Sequence, residues 1–149
     1  MLKEPIRVKK LHPGVKLPTY GSPDAAGADL YAHIPEGEIV IAPGETQMVH
    51  TGICMELPRG FAGLIYARSG MATKRGLAPA NKVGVVDPDY RGEILVALHN
   101  HGQTPASVQD GERVAQLVVT PYCTAEFLEA ETLSETVRGA GGYGSTGYQ

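Results

Sequence analysis

Turn signals interrupt this chain at intervals of roughly 8–12 residues, and the runs between them are short and rich in aliphatic and β-branched residues. Residues 6–11 set Ile6 and Val8 against Arg7 and Lys9, the period of a strand. Residues 38–42, 61–67, 83–86, 94–98, 106–109 and 113–122 read as further strands, and residues 47–57 carry two strand-like runs around Gly52. Pro43-Gly44, Pro58-Arg59-Gly60, Asn100-His101-Gly102 and Asp110-Gly111-Glu112 are the turns between them. Only residues 71–75 suggest a helical turn, with Ser69 as its cap. With 19 glycines and 11 prolines in 149 residues, turns are cheap to make and long helices are not. The expectation is an all-β barrel or sandwich forming a single domain over residues 1–137, with room for one last strand in 125–137. Residues 138–149 are a glycine-dominated tail with too little apolar surface to fold alone, and are expected to be flexible.

Charge narrows the partners. A net charge of -3 lacks the basic excess of a general nucleic-acid binder, so no nucleic acid is expected. No run reaches the length of a membrane span, and residues 1–5 carry no apolar leader. The expectation is a soluble, cytoplasmic protein that meets no membrane. Cys54 and Cys123 sit in apolar runs without metal-ligand spacing, so both are expected to be buried thiols. The five histidines show no helical ligand spacing either.

Three stretches carry more chemistry than their structure requires. Residues 84–93 join two apolar runs through Asp87-Pro88-Asp89-Tyr90-Arg91-Gly92, which reads as a long-looped β-hairpin. Pro88 biases Asp87 away from helix, and Gly92 tolerates φ > 0. A polar hairpin tip is the bland alternative. Arg68-Ser69-Gly70 puts a guanidinium fork, a hydroxyl and free backbone N–H groups where a strand enters a helical turn, a combination suited to phosphate; an ordinary cap is its alternative. The tail sets Arg138, Tyr143, Ser145 and Thr146 among glycines, which let main-chain amides approach a phosphate closely. Residues 142–147 also match G-x-G-x-x-G, but only Tyr148 and Gln149 follow, so the helix of a dinucleotide site cannot form.

Taken together with residues 26–32 (Ala-Gly-Ala-Asp-Leu-Tyr-Ala) and 111–117 (Gly-Glu-Arg-Val-Ala-Gln-Leu), these stretches stand in the order of five motifs, and the chain resembles the trimeric dUTPases. The resemblance implies a dUTPase-like barrel or jelly-roll-like subunit in a homotrimer, with active sites shared between subunits and the tail closing over a neighbour's site. It implies hydrolysis of dUTP to dUMP and pyrophosphate, with Mg2+ held mainly by the triphosphate. By the same resemblance Asp87 is the general base that activates water, and Tyr90 lies against the deoxyribose. Asn81, main-chain groups of Gly84, Val85 and Val86, and Leu95 form the uracil slot. Arg68, Ser69 and Gly70 hold phosphates, Gln116 lies near the α-phosphate, and Asp29 reaches the metal through water. Arg138, Ser145 and Thr146 grip the terminal phosphate, and Tyr143 stacks on the base where the family more often has Phe. Arg113 is read as structural, paired with a carboxylate. Two rivals remain: a dCTP deaminase-like relative, whose acid/base motif is not found here, and a non-catalytic dUTP-binding regulator.

Overall fold

A computed structural model describes residues 4–142. Its elements run β1 (Arg7–Lys10), β2 (Thr19–Tyr20), β3 (Ala28–Tyr31), β4 (Glu38–Ile41), β5 (Thr46–Glu56), β6 (Phe61–Tyr66), α1 (Ser69–Arg75), β7 (Leu77–Pro79), β8 (Gly84–Val86), β9 (Glu93–Asn100), β10 (Ala106–Gln109) and β11 (Arg113–Pro121). The all-β expectation holds, and the arrangement is jelly-roll-like rather than a closed barrel. Strands assemble into a four-stranded sheet β1-β5-β9-β7, a five-stranded sheet β2-β3-β11-β6-β8, and the pair β10-β4.

Alternation along the strands builds the core. In β9, Ile94, Val96, Leu98 and Asn100 point inward while Glu93, Leu95, Ala97 and His99 point outward. The inward set meets Leu30, Ile41, Val49, Ile53, Leu77, Val108 and Val114, all nearly inaccessible. Truncating one of these, as in Leu98→Ala, typically costs about 2–5 kcal/mol. Asn100 is the polar member of this layer and is fully partnered. Its Nδ2 donates to Ile41 O and Thr104 O at 2.9 Å each, and its Oδ1 accepts from the Gly102 N–H at 2.8 Å. It therefore ties the end of β9 to β4 and to the turn before β10.

The two runs around Gly52 are one strand with a bulge. The β5–β9 register shifts between His50 and Cys54, and Gly52 takes φ +68°. A Cβ there would also lie 2.6 Å from Val15 Cγ2, so both conformation and space demand glycine.

Several expectations need correction. β8 does not pair with β9: it pairs with β6, while β9 lies between β5 and β7. Residues 84–93 are thus a corner between two sheets and not a hairpin, because β6 offers the start of β8 an open edge. Residue 69 is not the cap of α1. Arg68 is, in extended conformation and without a side-chain cap bond. No strand forms among residues 122–142; after the Tyr122 N–H donates to Gly60 O at 3.0 Å, the segment makes only local hydrogen bonds. Cys54 is half-buried and Cys123 exposed, since the chain leaves the sheet at Pro121.

Candidate active site

The sequence-predicted residues fall into two groups, one beyond the C-terminal end of β6 and one along β8, whose following corner with Asp87 lies toward the N-terminal half of β6. At its C-terminal end, register brings Asp29, Gln116 and Tyr66 into one row across β3, β11 and β6. Leu30, Ala115, Leu117 and Ile65 alternate with them into the core, so this row faces outward. Arg68 follows two residues after Tyr66. Its Nε donates to Asp29 Oδ1 at 2.7 Å, and Arg113 Nη1 donates to Asp29 Oδ2 at 3.2 Å. Asp29 therefore orients two guanidinium groups, and Arg113 has the carboxylate partner expected of it. The cluster keeps a formal positive charge, and Arg68 and Arg113 retain donors for an anion. Gln116 Nε2 donates to Ala67 O at 2.8 Å. The close packing of Gly27 follows from this row: a Cβ at residue 27 would lie 2.6 Å from Gln116 Oε1.

The start of α1 is open. Ser69 Oγ makes no hydrogen bond among the described residues, and a Cβ at Gly70 would meet nothing within 4 Å. Met71 is buried beneath, and Arg75 at the far end pairs with Glu112. The helix is thereby pinned while its first residues face outward.

The second group lies around the sheet-to-sheet corner. Since β8 and β9 do not pair, they enclose a cavity of about 310 Å³ lined by Asn81, Gly84, Val85, Val86, Asp87, Tyr90, Leu95 and neighbouring Met48, Ile65, Glu93 and Ile94. A hairpin would have closed this space with ladder bonds. β8 is an edge strand bonded only to β6, so its other edge leaves main-chain donors and acceptors without a strand partner. Lys82, with φ 65°, turns the chain into β8 and is the one described non-glycine residue with positive φ.

Asp87 lines this slot and also a larger open groove of about 950 Å³ that includes Arg7, Arg59, Arg91 and Tyr122. The corner braces itself. The Tyr90 N–H donates to Asp87 O at 3.2 Å, and Arg91 Nη1 donates to Pro88 O and Tyr90 O at 2.7 and 3.0 Å. Arg91 also faces Glu56, which holds Arg7. Tyr90 Oη donates to Glu93 O at 3.0 Å, laying the ring over Gly92. Gly92 does not take positive φ; a Cβ there would meet the Tyr90 ring at 2.3–2.9 Å, and that contact is why glycine is needed.

The groups do not meet within one chain. Val86 faces Gly63, five residues before Arg68, so Asp87 lies beyond about 16 Å of strand from the guanidinium cluster. None of Asp29, Arg68, Ser69, Gly70 or Gln116 lines the slot. Arg138 bonds locally, its Nε donating to Gly141 O at 3.0 Å. Tyr143, Ser145 and Thr146 lie outside the described residues.

Among the described residues no three His, Cys, Asp or Glu side chains could together hold a metal ion. Both Asp29 oxygens already accept from guanidinium groups, which leaves them suited to a water on a cation rather than to the cation itself. No helix among the described residues is long and apolar enough to cross a membrane. Sequence reading passed over Glu93, which lines the slot and fastens Tyr90; its position directly after Arg91-Gly92 was the only signal.

Comparison with known proteins identifies the family and the fold. The dUTPase family model matches residues 14–147. The deoxyuridine 5'-triphosphate nucleotidohydrolase of Desulfitobacterium hafniense is 53% identical over 133 residues, covering 89% of this chain and 87% of its own. Among solved structures, the dUTPase of Staphylococcus bacteriophage 80alpha with dUPNHPP superposes with a TM-score of 0.87 at 25% identity, covering 97% of this chain and 99% of its own. The dUTPase of phage phi11 of S. aureus, described with a structural Mg(II) ion, shares the fold with a TM-score of 0.78 at 21% identity over 89% of this chain and all of its own.

Proposed function

The chain belongs to the dUTPase family, and we propose that it hydrolyses dUTP to dUMP and pyrophosphate at sites shared between copies of itself in a homotrimer. The observation that carries the reading is the slot between β8 and β9, with a carboxylate at its wall and a tyrosine folded across its end. Its volume lies at the small end of ligand cavities, which suits a base and sugar rather than a whole nucleotide triphosphate.

The open edge of β8 gives uracil main-chain donors and acceptors, and Asn81 and Leu95 close the slot on either side. Tyr90, held by Glu93 O and backed by Gly92, is a fixed wall against the sugar. A ribose 2′-hydroxyl would have to displace a braced ring. Asp87 takes a proton from the water that attacks the α-phosphorus, and the bond to the bridging oxygen breaks to release pyrophosphate. An aspartate is ionised at neutral pH and accepts the water's hydrogen bond, so it both orients and deprotonates it.

Arg68, preset by Asp29, meets the phosphates with Ser69 and Gly70, and Gln116 stands near the α-phosphate. Phosphoryl transfer depends on positioning and charge stabilisation, which a locked guanidinium supplies without reorganising. Mg2+ bound to the triphosphate would neutralise its charge, with Asp29 as the residue that reaches it through water. Arg138, Ser145 and Thr146 of the tail close on the terminal phosphate and Tyr143 stacks on the base.

Sharing of sites is supported by the separation of Asp87 from the Arg68 cluster along β6. It is also supported by the segment leading to the tail. Phe127, Leu128, Leu133 and Val137 are 79–111% exposed, a line of apolar side chains that calls for a covering surface on another copy. A nucleotide substrate is consistent with the cytoplasmic location expected from the sequence. The test is release of inorganic pyrophosphate from dUTP, dCTP, dTTP and UTP: dUTP alone is expected to turn over readily. Equal hydrolysis of the four, or deamination without pyrophosphate release, would overturn the reading.

A further inference from the structure

Glu93 stands beside the residues assigned above, and three of its oxygens are engaged at once. Its carboxylate accepts from the Gly52 N–H at 2.8 Å through Oε1 and pairs with His50 Nδ1 at 2.9 Å through Oε2. Its main-chain oxygen accepts the Tyr90 phenol at 3.0 Å. The side chain is only 20% exposed.

The partner at Gly52 matters because it is the bulge of β5. A bulge leaves a main-chain N–H outside the ladder, and a buried donor without a partner costs about 1–3 kcal/mol. Here the missing partner is a carboxylate reaching across from the first residue of β9. Val15 packs closely against Gly52, and the Gly52 carbonyl accepts the Leu11 N–H at 2.8 Å, so the bulge is held from two sides. One residue thus connects the bulge of β5 to the hydroxyl of Tyr90.

We propose that Glu93 is a positioning residue for sugar discrimination: its carboxylate staples the start of β9 to the β5 bulge and so fixes the carbonyl that holds Tyr90 across the slot. The proposal rests on the reading of Tyr90 as the sugar wall. The surroundings favour an ionised staple. His50 faces it from β5, and His12, stacked on His33 at 4.8 Å, lies close enough for its charge to act on the carboxylate. Burial by itself would raise the Glu93 pKa, but the bonds from His50 and the Gly52 N–H, with the charges of His50 and His12, outweigh it and pull the carboxyl below its ordinary value.

The test compares kcat/KM for dUTP and UTP in full-length wild type, Glu93→Ala, Glu93→Gln, His50→Ala and Tyr90→Ala. Tyr90→Ala is expected to narrow the dUTP/UTP ratio most. Glu93→Ala is expected to narrow it about tenfold, and Glu93→Gln less than about threefold, because the amide oxygen still accepts from Gly52. A residue that merely stabilised the fold would lower both substrates together. An unchanged ratio in Glu93→Ala, with a collapsed ratio in Tyr90→Ala, overturns the proposal and leaves the sugar wall standing. An unchanged ratio in both overturns the sugar wall and the proposal with it. Should Glu93→Ala not assemble, the double variant Glu93→Gln/His50→Ala takes its place: a ratio narrowed beyond Glu93→Gln alone supports the staple, and a wild-type ratio overturns it.

Discussion

The two ends of β6 carry two different kinds of half-site. Beyond its C-terminal end, Arg68 is held by a carboxylate from β3, two strands away across β11, in a row set by sheet register. Beside its N-terminal end, the corner carrying Asp87 and Tyr90 is held by its own main chain, through Arg91, Glu93 and the turn bond from Tyr90 to Asp87. The first is rigid because the sheet is rigid. The second is rigid because a loop has been stapled. Each half is ordered within its own chain. In the shared-site assembly proposed above, little reorganisation would be left to do, since finished surfaces would come together.

The largest expected effect tests whether the halves belong to different copies. Asp87→Asn is expected to lower kcat by roughly 10²–10⁴-fold, the usual contribution of a positioned base. Arg68→Ala is expected to be severely impaired as well. Coexpressed in equal amounts, the two variants should recover about a quarter of wild-type activity, since in a cyclic assembly about that share of interfaces joins an intact Asp87 to an intact Arg68. No recovery in mixed assemblies would mean that each chain builds its own site.

A smaller effect is expected at the third component. Removing residues 138–149 should leave assembly intact by sedimentation while cutting kcat/KM by roughly 10²-fold, the scale of losing transition-state donors. Unchanged turnover would show that the halves on β6 suffice. Next, Gly92→Ala sets a methyl against the Tyr90 ring, and overpacking of this kind costs typically about 1–3 kcal/mol. A thermal melt should show that loss together with a narrower dUTP/UTP ratio; a wild-type ratio would mean that the ring finds its place without the glycine.

The smallest effect is electrostatic. The folded pKa of Glu93 lies below its ordinary value, so its stabilisation is fully present above the unfolded pKa and is lost as pH falls through the folded one. Glu93→Gln should therefore flatten the acid side of the stability–pH curve while leaving its neutral region the less stable of the two. An unaltered acid limb in denaturant titrations would remove the ionised staple.

Much of the site was legible along the chain. Arg68-Ser69-Gly70, Asp87 and Tyr90 stood out because they sit where strands end or turns begin, and a strand of period two has no structural use for them there, whereas Gln116, inside β11, was named only through the resemblance. The pairing of Arg113 with a carboxylate was also foreseeable. The hairpin was not a correct reading, because two apolar runs joined by a turn look alike whether they pair with each other or part into two sheets. The cap at residue 69 failed for a related reason: Ser69 suits an N-cap by type, but the helix begins one residue earlier than expected, so that Arg68 occupies the cap in extended conformation. Cys123 looked buried because it continues an apolar run, yet Pro121 ends that strand and the chain departs.

By itself the sequence determined the fold class, the strand and turn order, and the types of group available for phosphate, base and proton transfer. These depend on side-chain period and backbone preference, which act over a few residues. Tertiary structure alone decided that β8 takes β6 as its partner and leaves a slot against β9. It also decided that Asp29 aims Arg68 from 39 residues away, and that Glu93 reaches the bulge at Gly52 across 41. Those contacts are chosen by register and by the closing of long loops, where every strand edge competes for the same partners, and no local pattern records which one wins.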